Sequence, residues 1–122
     1  MFPKEELCVA TEEDKLTLEN TNFFMEGEID EFVSKQCIYI YRIDGEYVGL
    51  GIVISHPSGD DVLDIGMQVA PKFRGRGIGR SIIIHLTKMC IEKGKRPVAE
   101  CKIDNIESKA TLFSAGFVLE KD

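Results

Sequence analysis

No apolar run in this 122-residue chain approaches the roughly 20 residues that a membrane-spanning helix needs. Met1 to Val9 carries Lys4, Glu5 and Glu6 and has no apolar leader core, so no secretory signal is expected there. The four cysteines, Cys8, Cys37, Cys90 and Cys101, form no Cys-x-x-Cys pair, and none has a zinc-like spacing to His56 or His85. No metal site follows from them. They read as reduced, mostly buried thiols of a cytoplasmic protein. Basic residues are outnumbered 15 to 21, for a net charge of −6, which disfavours a general nucleic-acid binder. There is no internal repeat, low-complexity tract or linker, and the length suits one domain over residues 1–122.

What is present is unevenly charged. Acids crowd the first quarter, from Glu5 and Glu6 through Glu12, Glu13 and Asp14 to Asp30 and Glu31, while Lys72, Arg74, Arg76 and Arg80 form a basic cluster. An acidic region suits a cationic partner and a basic cluster an anionic one. Leu7 to Ala10 reads as a short strand. Thr11 then caps a helix with acids in its first turn, and a second short helix is expected over Glu28 to Lys35. The loop between them carries the aromatics Phe23 and Phe24. Cys37 to Ile43, Tyr47 to Ser55 and Val62 to Val69 read as a three-strand meander, with turns at Asp44-Gly45 and over Pro57 to Asp61. In the third strand, Ile65, Met67 and Val69 share one face and Asp64, Gly66 and Gln68 the other. A helix follows from Ile78 to Lys93, stopped by Gly94. Val98 to Ile103 is then a strand parallel to the third meander strand, reached by a right-handed crossover. A last helix over Asn105 to Ala115 and a short strand over Phe117 to Glu120 end the chain.

The stretch Val69-Ala70-Pro71-Lys72-Phe73-Arg74-Gly75-Arg76-Gly77-Ile78-Gly79 joins a strand to a helix through a glycine-rich turn. Glycines let backbone approach a ligand closely, and a helix start offers unpaired N–H groups with a favourable dipole. Together they make a phosphate pocket, to which Lys72, Arg74, Arg76 and Arg80 add charge. A Walker loop is excluded by the absence of Gly-Lys-Ser/Thr. The dinucleotide fingerprint is excluded because its third glycine would fall at Arg80.

This segment resembles the acetyl-CoA pyrophosphate loop of the GNAT acetyltransferase superfamily, its Arg/Gln-x-x-Gly-x-Gly/Ala core filled by Arg74, Gly77 and Gly79. The stretch from Asn105 to Phe117, NIESKATLFSAGF, resembles the family's terminal segment. The resemblance implies a mixed, mostly antiparallel α/β sheet with flanking helices, and acetyl-CoA as co-substrate. It implies cofactor contacts from Met67, Gln68, Val69, Arg74, Gly75, Arg76, Gly77, Ile78, Gly79, Arg80, Asn105 and Ser108. The expected activity is acetyl transfer to a primary amine by direct attack, the acceptor being a small molecule or a peptide. The alternative is a catalytically idle acyl-CoA-binding or regulatory module. A third reading is an interaction domain using Phe23 and Phe24.

Within that implied mechanism, a backbone N–H near Val69 polarises the carbonyl, and Asp64 is the candidate base with Glu100 in reserve. Leu112 stands where many members place a tyrosine acid, so Ser108, or a water it holds, becomes the candidate proton donor. A route through Cys101 is conceivable. The family's last strand is expected to be missing after Glu120, and a homodimer partner is expected to supply that wall.

Overall fold

The computed structural model describes residues 4–56, 59–99 and Gly116. A strand β1 (Glu5–Val9) leads through a 3-10 turn (Glu12–Asp14) into two short helices, α1 (Lys15–Glu19) and α2 (Glu28–Ser34). The meander follows as β2 (Ile38–Ile43), β3 (Glu46–His56) and β4 (Gly59–Val69), then helix α3 (Ile78–Glu92) and β5 (Arg96–Val98). The sheet order is β1-β2-β3-β4-β5, antiparallel throughout except for the parallel β4–β5 pair. The crossover through α3 accounts for that parallel pair, since a tight turn cannot join parallel neighbours.

Side-chain alternation divides the core in two. On one face of the sheet, Tyr41, Val48 and Ile65 pack with Ile78, Ile82, Ile83, Leu86 and Cys90 of α3. On the other, Ile38, Ile40, Leu50 and Ile52 pack with Leu18 of α1 and Val33 of α2. A bulge breaks the β2–β3 register, with Tyr41 opposite Gly49, Arg42 opposite Tyr47, and Val48 left over. Two glycines of β3 let α3 come close. A Cβ on Gly49 would lie 2.9 Å from Ile82 Cδ1 and 2.8 Å from the Gln68 carbonyl oxygen, and one on Gly51 would lie 2.8 Å from Leu86 Cδ1. A side chain at Gly49 would press on the β4 backbone and Ile82, and one at Gly51 would have to move the Leu86 and Ile82 side chains.

Four polar ties lie on the β1 side. The buried Tyr41 hydroxyl donates to Glu5, and His85 Nε2 lies 3.1 Å from the other Glu5 oxygen. Burial, reinforced by the Glu5 carboxylate, pushes the Tyr41 phenol well above the ordinary tyrosine range. Arg42 Nη2 donates to Asp14 Oδ1 at 2.9 Å. The Thr11 backbone N–H donates to Asp14 Oδ2 at 2.9 Å, so the acid expected in the first helical turn secures the turn's entry.

The element boundaries differ from the sequence reading in specific places. The start of α1 is taken by a 3-10 turn, and β4 begins at Gly59, paired with His56, so the expected turn over Pro57 to Asp61 is shorter. Polar Asp60 and Asp61 suggest a loop, yet a strand end tolerates them because its ladder bonds are made by the backbone. Cys37 precedes β2 and links two elements: its N–H donates to Phe32 of α2, and its carbonyl accepts from Val53. β5 starts two residues early, at Arg96, and Ala99 already lies outside it. Of the described cysteines, Cys90 is buried, Cys37 partly buried and Cys8 exposed, which corrects the expectation of mostly buried thiols; all three are free. The expected elements beyond Ala99 lie outside the described residues, Gly116 apart.

Candidate active site

The glycine-rich turn is built as its sequence requires. Pro71 opens a 3-10 turn over Pro71–Phe73, and its lack of an N–H costs nothing at that position. Gly75 and Gly77 take φ of +81° and +80°, a left-handed backbone that side chains resist. No atom of the described residues lies within 4 Å of the Cβ that either glycine lacks. Gly77 caps α3, and the Ser81 N–H makes the first return bond to the Gly77 carbonyl at 3.1 Å. The first-turn N–H groups of Ile78 and Gly79 therefore have no acceptor inside the helix. Ile78 and Gly79 are themselves buried, so their contribution to a ligand is backbone.

Lys72, Arg74, Arg76 and Arg80 are all exposed around this cradle. Lys72 and Arg76 both lie over the Phe73 ring, at 5.1 and 5.5 Å from its centroid. The ring thus keeps two cations beside the loop. Lys72 also pairs with Glu46 at 3.2 Å, a contact that the glycine motif alone does not disclose. An open glycine cradle at a helix start, ringed by cations, fits a pyrophosphate.

The cradle continues from the end of β4. β5 pairs with β4 only at Val62, Leu63 and Asp64, and among the described residues the parallel ladder stops there. On the other side of β4, the Ala70 N–H donates to the Val48 carbonyl at 2.9 Å. Antiparallel alternation then directs the N–H and C=O of Val69 and Met67 away from β3, toward the β5 side. The Val69 carbonyl indeed finds its partner outside the sheet, accepting from Arg74 Nε at 3.2 Å.

Asp64 occupies the last position paired on both sides, opposite Ile54 of β3 and Val98 of β5. It is partly buried and shares the α1–α2 face with Gly66 and Gln68. A Cβ on Gly66 would meet no described atom within 4 Å, so the strand leaves space between Asp64 and Gln68. The sequence signal for that space was available: an isolated glycine inside a strand often marks a close approach. On the same side of the molecule, Leu16, Phe23 and Met25 are exposed, and Lys15 ties α2 to the preceding turn through Asp30 at 2.7 Å and Glu12 at 2.6 Å. The structure thus brings together Met67, Gln68, Val69, Arg74, Gly75, Arg76, Gly77, Ile78, Gly79 and Arg80, with Asp64 at the end of the described β4–β5 pairing. Asn105, Ser108, Glu100, Cys101 and Leu112 lie outside the described residues. Among the described residues, no group of three or more His, Cys, Asp or Glu side chains could hold a metal ion.

A mostly antiparallel sheet whose fourth strand runs through a glycine turn into a helix start is the fold of a class of acyl-CoA-handling proteins. Residues 4–117 match the acetyltransferase (GNAT) family, and the chain belongs to that family, whose acetyl donor is acetyl-CoA. Solved structures agree on the fold. An acetyltransferase of the GNAT family from Colwellia psychrerythraea superposes with a TM-score of 0.83 at 19% identity over 97% of the chain, and the chain spans about half of that protein's length, 47%. The protein yncA of Salmonella typhimurium, solved with its cofactor acetyl-CoA, gives 0.81 at 15% identity, covering 97% of this chain and 82% of that one. AAC(6')-Iy, in complex with the bisubstrate analogue CoA-S-monomethyl-acetylneamine, gives 0.74 at 17% identity, covering 97% and 93%. No curated protein is significantly similar to the chain in sequence. No helix among the described residues is long and apolar enough to cross a membrane.

Proposed function

We propose that the chain transfers the acetyl group of acetyl-CoA to a primary amine by direct attack. The observation that carries this reading is the open glycine cradle between the end of β4 and the start of α3, ringed by Lys72, Arg74, Arg76 and Arg80. Acetyl-CoA supplies an activated thioester when bound. The backbone of Gly75, Gly77, Ile78 and Gly79 holds the pyrophosphate, with Arg74, Arg76 and Arg80 adding charge. The outward N–H and C=O groups of Met67 and Val69 offer the backbone partners that a strand edge presents to a ligand.

The Val69 N–H donates to the carbonyl oxygen as negative charge builds on it. Asp64 takes the proton from the attacking amine, directly or through a water held in the space at Gly66. The amine lone pair forms the new C–N bond, the C–S bond breaks, and the sulfur leaves as a thiolate that Ser108 or a water protonates. The acids around α1 and α2 support a cationic small molecule or a peptide amine as acceptor. The bisubstrate analogue bound by AAC(6')-Iy supports the small-molecule choice.

The test is free-thiol release from acetyl-CoA across a panel of polyamines, aminoglycosides and peptide amines. Amine-dependent release supports the transferase. Tight acetyl-CoA binding with no release across the panel would leave the idle acyl-CoA-binding module.

A further inference from the structure

Arg74 is the one cation of the loop for which the structure gives a bond to β4. Its Nε lies 3.2 Å from the Val69 carbonyl oxygen, while Lys72 is engaged by Glu46 and Arg76 lies over Phe73. The peptide that Arg74 grips is anchored at its other end too, since the Ala70 N–H donates to Val48 at 2.9 Å. One residue further on, the Ala70 carbonyl accepts from the Phe73 N–H at 2.9 Å, tying the turn back to the strand end. On its N-terminal side, Val69 follows Gln68, which is paired with Leu50 of β3. The backbone dihedrals of Val69 are therefore set by β3 on one side and by Arg74 on the other. These anchors hold the end of β4 where it enters the glycine turn.

We infer that Arg74 is a positioning residue, whose Nε–H holds the Val69 carbonyl and so fixes the direction of the Val69 N–H toward the reacting carbonyl; this rests on the transferase reading above. The guanidinium divides its work. Nε serves the strand, and the terminal nitrogens remain for phosphate. These two roles are chemically separable. Glutamine carries an N–H on the same side-chain carbon position as arginine Nε but has no charge. Leucine has neither the donor nor the charge.

The experiment compares Arg74→Gln with Arg74→Leu in the full chain. Loss of charge weakens acetyl-CoA binding equally in both, as read by titration calorimetry. Loss of the clamp appears only with leucine: kcat for thiol release falls about tenfold below that of Arg74→Gln, the scale of a small misplacement of a catalytic donor. In the cofactor-free protein, hydrogen exchange of the Ala70 amide is about tenfold faster in Arg74→Leu than in Arg74→Gln, because one of the two anchors of its peptide is gone. Equal kcat and equal Ala70 exchange in the two variants would overturn the inference and leave Arg74 a phosphate contact alone. A wild-type chain that binds acetyl-CoA yet releases no thiol overturns the transferase reading instead. The exchange comparison then decides whether Arg74 holds Val69, and equal rates would reject it.

Discussion

At Leu63 and Asp64, β4 has described partners in both β3 and β5, whereas from Ile65 to Val69 its described strand partners are in β3. The contrast lies in what is described as supporting the two halves. The first half is held edgewise on both sides. The second half is held from beneath: Met67 and Val69 stand opposite Gly51 and Gly49, the two positions where α3 presses Leu86 and Ile82 onto the sheet. A close helix face thus supports the end of β4 that leads into the cradle.

The strongest way to break this contrast is to fill the space under the second half. Gly49→Val places atoms against the Gln68 carbonyl and Ile82, and chemical denaturation should show a loss of about 3 kcal/mol, with acetyl-CoA affinity falling as the second half shifts. A valine at Gly66, where no described atom is close, should cost far less stability, and equal costs at the two sites would refute the support role given to α3.

Next in size is Asp64→Asn. Turnover should drop about 100-fold, the lower range for a positioned base, and the acid limb of the pH–rate profile should flatten while acetyl-CoA affinity holds. An unchanged profile would transfer the base role to water or Glu100. Smaller again is Gly77→Val. Its φ of +80° makes any side chain strained and puts it in the mouth of the cradle, so acetyl-CoA affinity should weaken about tenfold, with about 1–2 kcal/mol of stability lost. Calorimetry showing full affinity in the folded variant would remove Gly77 from the cofactor site.

The smallest effect lies far from the cradle and sharpens the contrast by its independence from it. Burial alone would raise the Asp14 carboxyl, but the Thr11 N–H and Arg42 outweigh it and hold the group below the ordinary aspartate range. A depressed folded pKa means that the stabilisation is present at neutral pH and is lost as pH falls through that folded value. Asp14→Asn should therefore cost no more than about 1 kcal/mol at neutral pH after solvent screening, with the gap to wild type closing in acid. Acetyl transfer by the folded variant should not change, and denaturation curves recorded across pH would check the sign.

Much of this organisation was legible in the chain. The strand, glycine turn and helix start announce themselves because each depends on local chemistry: Pro71 at the turn, φ-permissive Gly75 and Gly77, and the 3.6-residue spacing from Ile78 to Cys90. Gly94 ends α3 with φ of +72°, as a left-handed stop should. The parallel placement of β5 followed from the length of the crossover. That Met67 to Val69 splays from the parallel neighbour is what the family resemblance implies, and the residues of that neighbour beyond Ala99 lie outside the described ones. The contact of α3 with Gly49 and Gly51 was hidden. The spacing of two glycines in a strand does not say which helix will lie over them. The grip of Arg74 on Val69 was obscured by its charge, which in the sequence reads as phosphate binding alone.

Glu5 has one further consequence, which concerns the order in which the molecule can be finished. Its Tyr41 partner lies 36 residues further along the chain, and its His85 partner 80 residues further. A chain emerging from the ribosome with its amino end first exposes β1 well before either partner has been made. Leu7 and Val9 have no strand to lie beside until β2 is synthesised, and the carboxylate meets its imidazole only once α3 has emerged. Closing loops of this length costs entropy that grows only slowly with distance, so the delay reflects sequence order more than energetic expense. β1 precedes the other described strands, and its tie to His85 is completed only after α3 has been made.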